Sequence, residues 1–247
     1  MTVLIVTGGG RGIGAAVCRL AARQGYTVVI NYTSDRIAAE ELRDEITASG
    51  GEAVVVAGDV ADEAHVRRLF DTAAEHGELA GVVANAGITG NTPGRLAEQD
   101  ARVVRRVLDV NVVGVFLCAR EAVLRMSTRH GGSGGAIVAV SSTAARRGSP
   151  GEWVHYAASK AAVDTLVHGL ALEVAEEGVR VNAVAPGMVE TGLHAAAGMP
   201  DRPRQKAPII PMKRAGTPEE IAEGVLWLLS PAASYVTGAV LPISGGL

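Results

Sequence analysis

The chain has 247 residues, 48% hydrophobic and 20% charged, enough for one sizeable core in an α/β chain of this length. A net charge of −3 and an aromatic content of 3% argue against a nucleic-acid partner or an electrostatic hold on an anionic membrane. The two cysteines, Cys18 and Cys118, fit no CxxC or zinc spacing, no apolar run approaches the ~18 residues of a membrane span, and no signal peptide is expected before a strand that begins almost at Met1, so no metal and a cytoplasmic setting are expected.

Val3-Leu4-Ile5-Val6 predicts a buried strand, 3–7, and Thr7-Gly8-Gly9-Gly10-Arg11-Gly12-Ile13-Gly14 follows it into a helical pattern over 13–24. Glycines at 8, 12 and 14 leave no Cβ to block close approach, and the helix N-terminus beyond them carries partial positive charge, an arrangement that seats a pyrophosphate. Further strands are predicted at 27–31, 53–57, 81–85, 136–141, 179–184 and 239–243, with helices over 35–48, 62–76, 96–128, 155–177 and 218–229. In 35–48, Ile37, Leu42 and Ile46 are expected on one face and Glu40, Arg43 and Asp44 outside it. Thr217, Pro218 and Glu220 form a capping-box signature at the last helix.

Apolar strands alternating with helices imply a Rossmann-type, doubly wound α/β fold: a seven-stranded parallel sheet with helices on both faces, in one domain over 1–247. Gly131-Gly132-Ser133-Gly134-Gly135 reads as a connecting loop. Residues 188–216, with four of the ten prolines and no clear strand, follow a strand and so leave the carboxyl edge of the sheet, where ligands bind in such folds. They are expected to form a mobile flap over the substrate.

Tyr156-Ala-Ala-Ser-Lys160 places a phenol and an ammonium one helical turn apart on one face. A nearby cation favours phenolate, so the pair suits general acid/base work, with the tyrosine pKa expected to fall from ~10. At this point the chain resembles the short-chain dehydrogenase/reductase family, from about Thr2 to the last residue. The resemblance is carried by Thr7-Gly8-xxx-Gly12-x-Gly14, Asp59-Val60, Asn85-Ala86-Gly87, Asn111, Ser141-Ser142, Tyr156-xxx-Lys160 and Pro186-Gly187-xxx-Thr191. The Tyr-xxx-Lys spacing and the length match the reductases and dehydrogenases better than the epimerase-like or enoyl-reducing branches.

The resemblance implies that Tyr156 exchanges a proton with the substrate oxygen, Lys160 lowers its pKa and holds the nicotinamide ribose, Ser142 hydrogen-bonds the reacting oxygen, and Asn111 holds a water that links Lys160 to solvent. The cofactor would lie on Gly8, Gly10, Arg11, Gly12, Ile13 and Gly14, then on Asn31, Tyr32, Thr33, Asp59 and Val60. Asn85, Ala86, Gly87, Tyr156, Lys160, Pro186, Gly187, Val189 and Thr191 would complete its site. The chain departs from the family in two places. The stretch from Ser142 to Tyr156 is one residue longer than the commonest spacing, which keeps Ser141 and Thr143 open beside Ser142, and Ala84 stands where many relatives carry an asparagine.

The second predicted strand ends in Asn31-Tyr32-Thr33-Ser34, with no carboxylate until Asp35, while Arg11 sits in the glycine turn. A neutral strand end and a guanidinium favour a 2′-phosphate, hence NADP(H) over NAD(H), with NAD(H) still possible. Ala144, Trp153, Met188 and His194, beside Val189, are candidate substrate-pocket residues. The flap carries Arg202, Arg204, Lys206, Lys213 and Arg214, read first as a solvated charge run. Glu173, Glu176 and Glu177 should repel an acidic carrier protein, which ranks a 3-oxoacyl-[acyl-carrier-protein] reductase below an enzyme of small alcohols, ketones or sugars. A non-catalytic NADP(H)-binding sensor or scaffold is the reading from another class. The resemblance also implies a homotetramer paired through the long helices 96–128 and 155–177 and the apolar C-terminal segment.

Overall fold

The computed structural model describes residues 2–90 and 93–247; Met1, Asn91 and Thr92 lie outside the described residues. In chain order the first half runs β1 (Thr2–Val6), α1 (Gly12–Arg23), β2 (Thr27–Tyr32), α2 (Arg36–Ala48), β3 (Glu52–Ala57), α3 (Glu63–Glu75), β4 (Glu78–Ala84), α4 (Ala101–Leu108) and α5 (Gly114–Met126). The second half runs β5 (Gly135–Val140), α6 (Ala144–Arg147), α7 (Val154–Val174), β6 (Val179–Pro186), α8 (Gly192–Ala196), α9 (Arg202–Lys206), α10 (Pro218–Leu229) and β7 (Val240–Ile243).

All seven strands are parallel, in the order β3-β2-β1-β4-β5-β6-β7. The chain starts in the middle and winds outward in both directions, so the strand order reverses between β1 and β4. A crevice opens there at the carboxyl ends, the place for a ligand in such sheets. The central strands are buried on both faces, which explains their unbroken Val, Ile and Ala runs. One apolar layer packs α3, α5 and α7 against the sheet and the other packs α1, α2 and α10. Pro242 is accommodated because β7 is an edge strand.

The capping box at Thr217 forms, with Glu220 N donating to Thr217 Oγ1 and Thr217 N to Glu220 Oε2. Asp35 caps α2, on which Ala39, Leu42 and Ile46 make the buried face. Ile37 is 70% exposed: five positions before Leu42, it lies well round the helix from the core stripe.

The single helix expected over 96–128 is broken. A short 3₁₀ turn at Leu96–Glu98 precedes α4, which Asp100 caps, and a π-turn at Asp109–Val113 separates α4 from α5. The glycine-rich loop after α5 is tightly held. A Cβ on Gly132 would lie 2.5 Å from the Arg125 carbonyl, and Gly134 N bonds Met126 O at 2.7 Å. Among the described residues no helix is long and apolar enough to cross a membrane.

Candidate active site

The glycine turn is shaped from three sides. Gly8 and Gly12 have φ of +60° and +54°, a region L-residues rarely adopt, and a Cβ on Gly14 would sit 2.4 Å from Gly8 O. Asn31 Oδ1 accepts from Gly8 N, while its Nδ2 donates to Val56 O and Gly58 O. Asn85 Nδ2 donates to Thr7 O at 2.9 Å and Gly8 O at 3.0 Å, and the Thr7 hydroxyl accepts from Asn85 N and Ala86 N. Asn31 and Asn85 therefore brace the turn. α1 has no side-chain cap and no acidic residue in its first turn, leaving its free N–H groups and positive dipole end available to an anion.

Above the turn lies a cavity of about 500 Å³. Its walls hold Gly8, Gly10, Arg11, Gly12 and Ile13 from the turn, Tyr32 and Thr33 at the end of β2, and Asp59 and Val60 after β3. Asn85, Ala86 and Gly87 follow β4, Pro186 ends β6, and Gly187, Val189 and Thr191 follow it. Ser142, Tyr156 and Lys160 stand on the same cavity. A crevice backed by glycines that a Cβ would fill, with a helix N-terminus at its floor, fits a dinucleotide.

Six of the predicted site residues are not on this wall. Gly14 packs beneath the turn, Asn31 is buried behind it, and Met188 lines a separate crevice with Met212 and Ile221. Ala144 and Trp153 also stand off the wall. Asn111, the sixth, is fully buried inside the π-turn. Its Oδ1 accepts from Ile88 N at 2.8 Å, and its Nδ2 donates to Ile88 O at 2.9 Å and Ser159 Oγ at 3.0 Å. Both amide hydrogens are thus committed, and Asn111 joins the loop after β4 to α7, holding the backbone in place. It still lies near Lys160: a Cβ on Gly87 would be 3.2 Å from Lys160 Nζ and 3.4 Å from Asn111 Oδ1.

Tyr156 and Lys160 point to the same side of α7, with Lys160 Nζ 5.7 Å from the centre of the Tyr156 ring. The ammonium donates to Val140 O at 2.7 Å, and Ser142, just past β5, lines the same cavity wall as Tyr156. The extra residue before Tyr156 does not displace Ser142, because the loop turns through α6 and two left-handed residues, Gly148 and Ser149. Burial pushes the Tyr156 phenol up, opposed by Ser142, and pushes Lys160 down from 10.5 to about 8, opposed by Asp164. The expected fall of the tyrosine pKa does not appear here, since desolvation outweighs every favourable contact. A protonated phenol beside a hydroxyl is a proton donor aimed at an oxygen placed between them.

Residues 188–216 fold as α8, α9 and a 3₁₀ turn, Ala207–Ile209, and clasp the loop before α7. Arg202 Nη1 donates to Glu152 Oε1 at 2.7 Å, and its guanidinium carbon lies 5.0 Å from the centre of the Trp153 ring. The Trp153 ring in turn stacks on His194, with ring centres 6.2 Å apart. His194 lines the cavity and is held neutral, its pKa lowered to about 4 by burial first and Arg202 second. Of the basic residues in 188–216, Arg202 pairs with Glu152, Arg214 with Glu220 and, at 3.7 Å, Arg204 with Asp201. On the acidic stretch, Glu177 turns inward to Ser127 and Arg129.

Sequence reasoning missed Asp35, Arg106 and Leu193 on the cavity wall. Arg106 Nη2 bonds Asp59 Oδ2 at 2.6 Å across 47 residues, a contact that no local pattern signals. Asp35, by contrast, was visible as the first carboxylate after β2, and it lies 3.8 Å from Arg11.

A family model described as "Enoyl-(Acyl carrier protein) reductase" matches residues 8–247. The chain is 51% identical over 247 residues to "Uncharacterized oxidoreductase YgfF" of Escherichia coli (strain K12), covering 100% of both. It is 38% identical to "Glucose 1-dehydrogenase 2" of Bacillus subtilis (strain 168), over 98% of this chain and 93% of that one. It is 37% identical to a "3-oxoacyl-[acyl-carrier-protein] reductase" of a Synechocystis strain, over 99% and 96%. Among solved structures, a mutant of a Serratia marcescens short-chain dehydrogenase/reductase superposes with a TM-score of 0.90 at 35% identity, covering 99% of this chain and 97% of that one.

Proposed function

Because the chain belongs to the short-chain dehydrogenase/reductase family, we propose that it interconverts an alcohol and a carbonyl on a small substrate using NADP(H). It is an oxidoreductase acting on CH–OH, in a family that binds NAD(P). The observation that carries the reading is the convergence of the Tyr156 phenol, the Ser142 hydroxyl and the Lys160 ammonium on the cavity that the glycine turn floors. A nicotinamide dinucleotide, when bound, supplies or accepts the hydride. The chain's residues do the rest. The turn and the start of α1 would hold the pyrophosphate, Lys160 would face the ribose, and Ser142 would orient the reacting oxygen. Tyr156 gives that oxygen a proton during reduction and takes one during oxidation, and the neighbouring ammonium stabilises the phenolate left behind.

Tyr156→Phe tests this reading against a non-catalytic sensor. Turnover should fall at least a thousandfold, on the order expected when a general acid/base is lost, while NADPH binding followed by fluorescence stays near wild type. Unchanged turnover would remove the enzyme described here.

NADP(H) over NAD(H) is supported by Arg11, whose side chain is 72% exposed at the cavity lip and only loosely engaged by Asp35. Arg11→Ala should raise KM for NADPH at least tenfold and leave KM for NADH nearly unchanged, as expected for a lost charge-assisted phosphate contact. Equal effects on the two cofactors would refute the preference.

A small alcohol, ketone or sugar as substrate is supported by relatives named as dehydrogenases of glucose and of cis-4-hydroxycyclohexanecarboxylate. The acyl-carrier-protein reductase relative favours a second reading, but Arg202 and Arg214 are already engaged by Glu152 and Glu220, which competes with docking of an acidic carrier. Preferential turnover of an acetoacetyl thioester over ketones and sugars would select it. We further propose a cytoplasmic homotetramer of single-domain subunits, each with 188–216 as its substrate flap.

A further inference from the structure

The carboxyl end of β5 meets α7 in a register that the reaction as proposed above does not fully use. Tyr156, Lys160 and Asp164 follow one another at four-residue steps on one face of α7. Val140 and Ser141 each take one of them. Lys160 Nζ donates to Val140 O at 2.7 Å and Ser141 Oγ donates to Asp164 Oδ1 at 2.5 Å, while Ser142 lines the cavity with Tyr156. Ser141 is buried, and its hydroxyl also lies 3.3 Å from Lys160 O.

We propose that Asp164 is a positioning residue for the proposed reaction: through Ser141 it fixes the strand end against the reactive face of α7, and its carboxylate keeps Lys160 in the ammonium form. The hydrogen bond alone does not explain the residue. An asparagine would accept from Ser141 equally well without the cost of drawing a charge out of water. The charge has a use, because Lys160 is 3% exposed and the hydrogen-bond acceptor it meets among the described residues is a neutral carbonyl. Asp164 is the acidic group whose charge acts on it, and that charge opposes the burial that drives the proton off Lys160. Burial also works against ionisation of Asp164, while Ser141 just past β5, Arg146 on α6 and Lys160 on its own helix favour it. Among the described residues the Tyr156 phenol also lies against Lys160, and Asn111 on the π-turn side is neutral.

The test is direct because the sequence contains three lysines, 160, 206 and 213. In cofactor-free protein labelled with ¹³C-lysine, Lys160 is assigned by its loss in Lys160→Met and titrated by NMR. Asp164→Asn should lower the Lys160 midpoint by roughly one pH unit, the low end of what a nearby opposite charge confers, whereas Asp164→Glu should hold it near wild type. The alkaline limb of kcat/KM for carbonyl reduction should move to lower pH by the same interval, a displacement that mere loss of packing would not give. Asp164→Ser replaces the amide if Asp164→Asn does not fold. A Lys160 midpoint unmoved by removal of the carboxylate overturns the proposal at any level of activity. A midpoint that moves in a protein that reduces no carbonyl supports the Asp164–Lys160 coupling and refutes the reductase reading instead.

Discussion

Lys160 gives up its water on folding and receives in exchange one carbonyl, that of Val140. The gap between its ordinary value of 10.5 and about 8 in the fold corresponds to roughly 3 kcal/mol of lost stability. Below about pH 8 both the folded and the unfolded chain hold the proton, and the cost is present in full. Between 8 and 10.5 only the unfolded chain is protonated, so stability contributed at this residue rises with pH, and above 10.5 the cost is gone. Lys160→Met lacks the titrating group. Thermal unfolding followed from pH 7 to 10.5 should therefore show wild type gaining on the variant across the window from about 8 upward, whatever their difference at neutral pH. A difference that is flat with pH would mean that Lys160 is not desolvated. The same residue is the one the proposed chemistry needs charged, so stability is given up at the functional centre.

The elements show what local pattern can and cannot reveal. All seven predicted strands and the glycine turn form close to their expected positions, because fully buried strands must be continuously apolar and tight turns must be glycine. The interruption of 96–128 was hidden because Asp109-Val110-Asn111-Val112-Val113 keeps a helical rhythm and contains no proline. What widens that turn is the set of partners offered to Asn111 by Ile88 and Ser159, 23 and 48 residues away. Likewise the YxxxK motif placed Tyr156 and Lys160 together, but no spacing could indicate that burial would raise the phenol. The clasp of α9 onto the loop before α7 was equally invisible, since Glu152 and Arg202 are 50 residues apart. That clasp also predicts behaviour. Arg202→Ala removes the partner of Glu152 and the cation over Trp153, which should loosen α8 and α9. Substrate KM should rise several-fold with NADPH affinity unchanged, and limited proteolysis should begin within 192–206. A fall in cofactor affinity of the same size would show that the segment supports the dinucleotide rather than covering substrate. Arg202 also holds the Glu152 carboxyl below its ordinary range, so the clasp should persist in mild acid and fail as the pH falls through that lowered value.

At the scale of the molecule, the unexplained surface is the outer side of α5 and α7. Phe116 is 50% exposed and Leu124, two helical turns further along α5, is 46% exposed, while Leu172 near the end of α7 is 70% exposed. Scattered apolar residues need no explanation, but Phe116 and Leu124 lie along one helix, and Val113, 43% exposed, precedes them. The flanks of α5 are polar and ordered: Arg120 reaches Glu63, and Arg125 reaches Asp71 on α3. An apolar stripe beside a polar border has the make-up of an interface core with its rim. In the proposed tetramer a two-fold axis across α5 would bury each such residue twice, once from each subunit. Burying a phenylalanine side chain contributes about 2 kcal/mol. Phe116→Glu should therefore weaken a symmetric contact by roughly 4 kcal/mol, about a thousandfold in the association constant, before any cost of burying the new charge. Light scattering coupled to size-exclusion chromatography at micromolar protein reads the outcome. Wild type should elute with the mass of four chains and Phe116→Glu with that of two or one, its far-UV circular dichroism unchanged. A variant that keeps the wild-type mass would place the subunit contact elsewhere, and a monomeric wild type would leave the stripe to a partner of another kind.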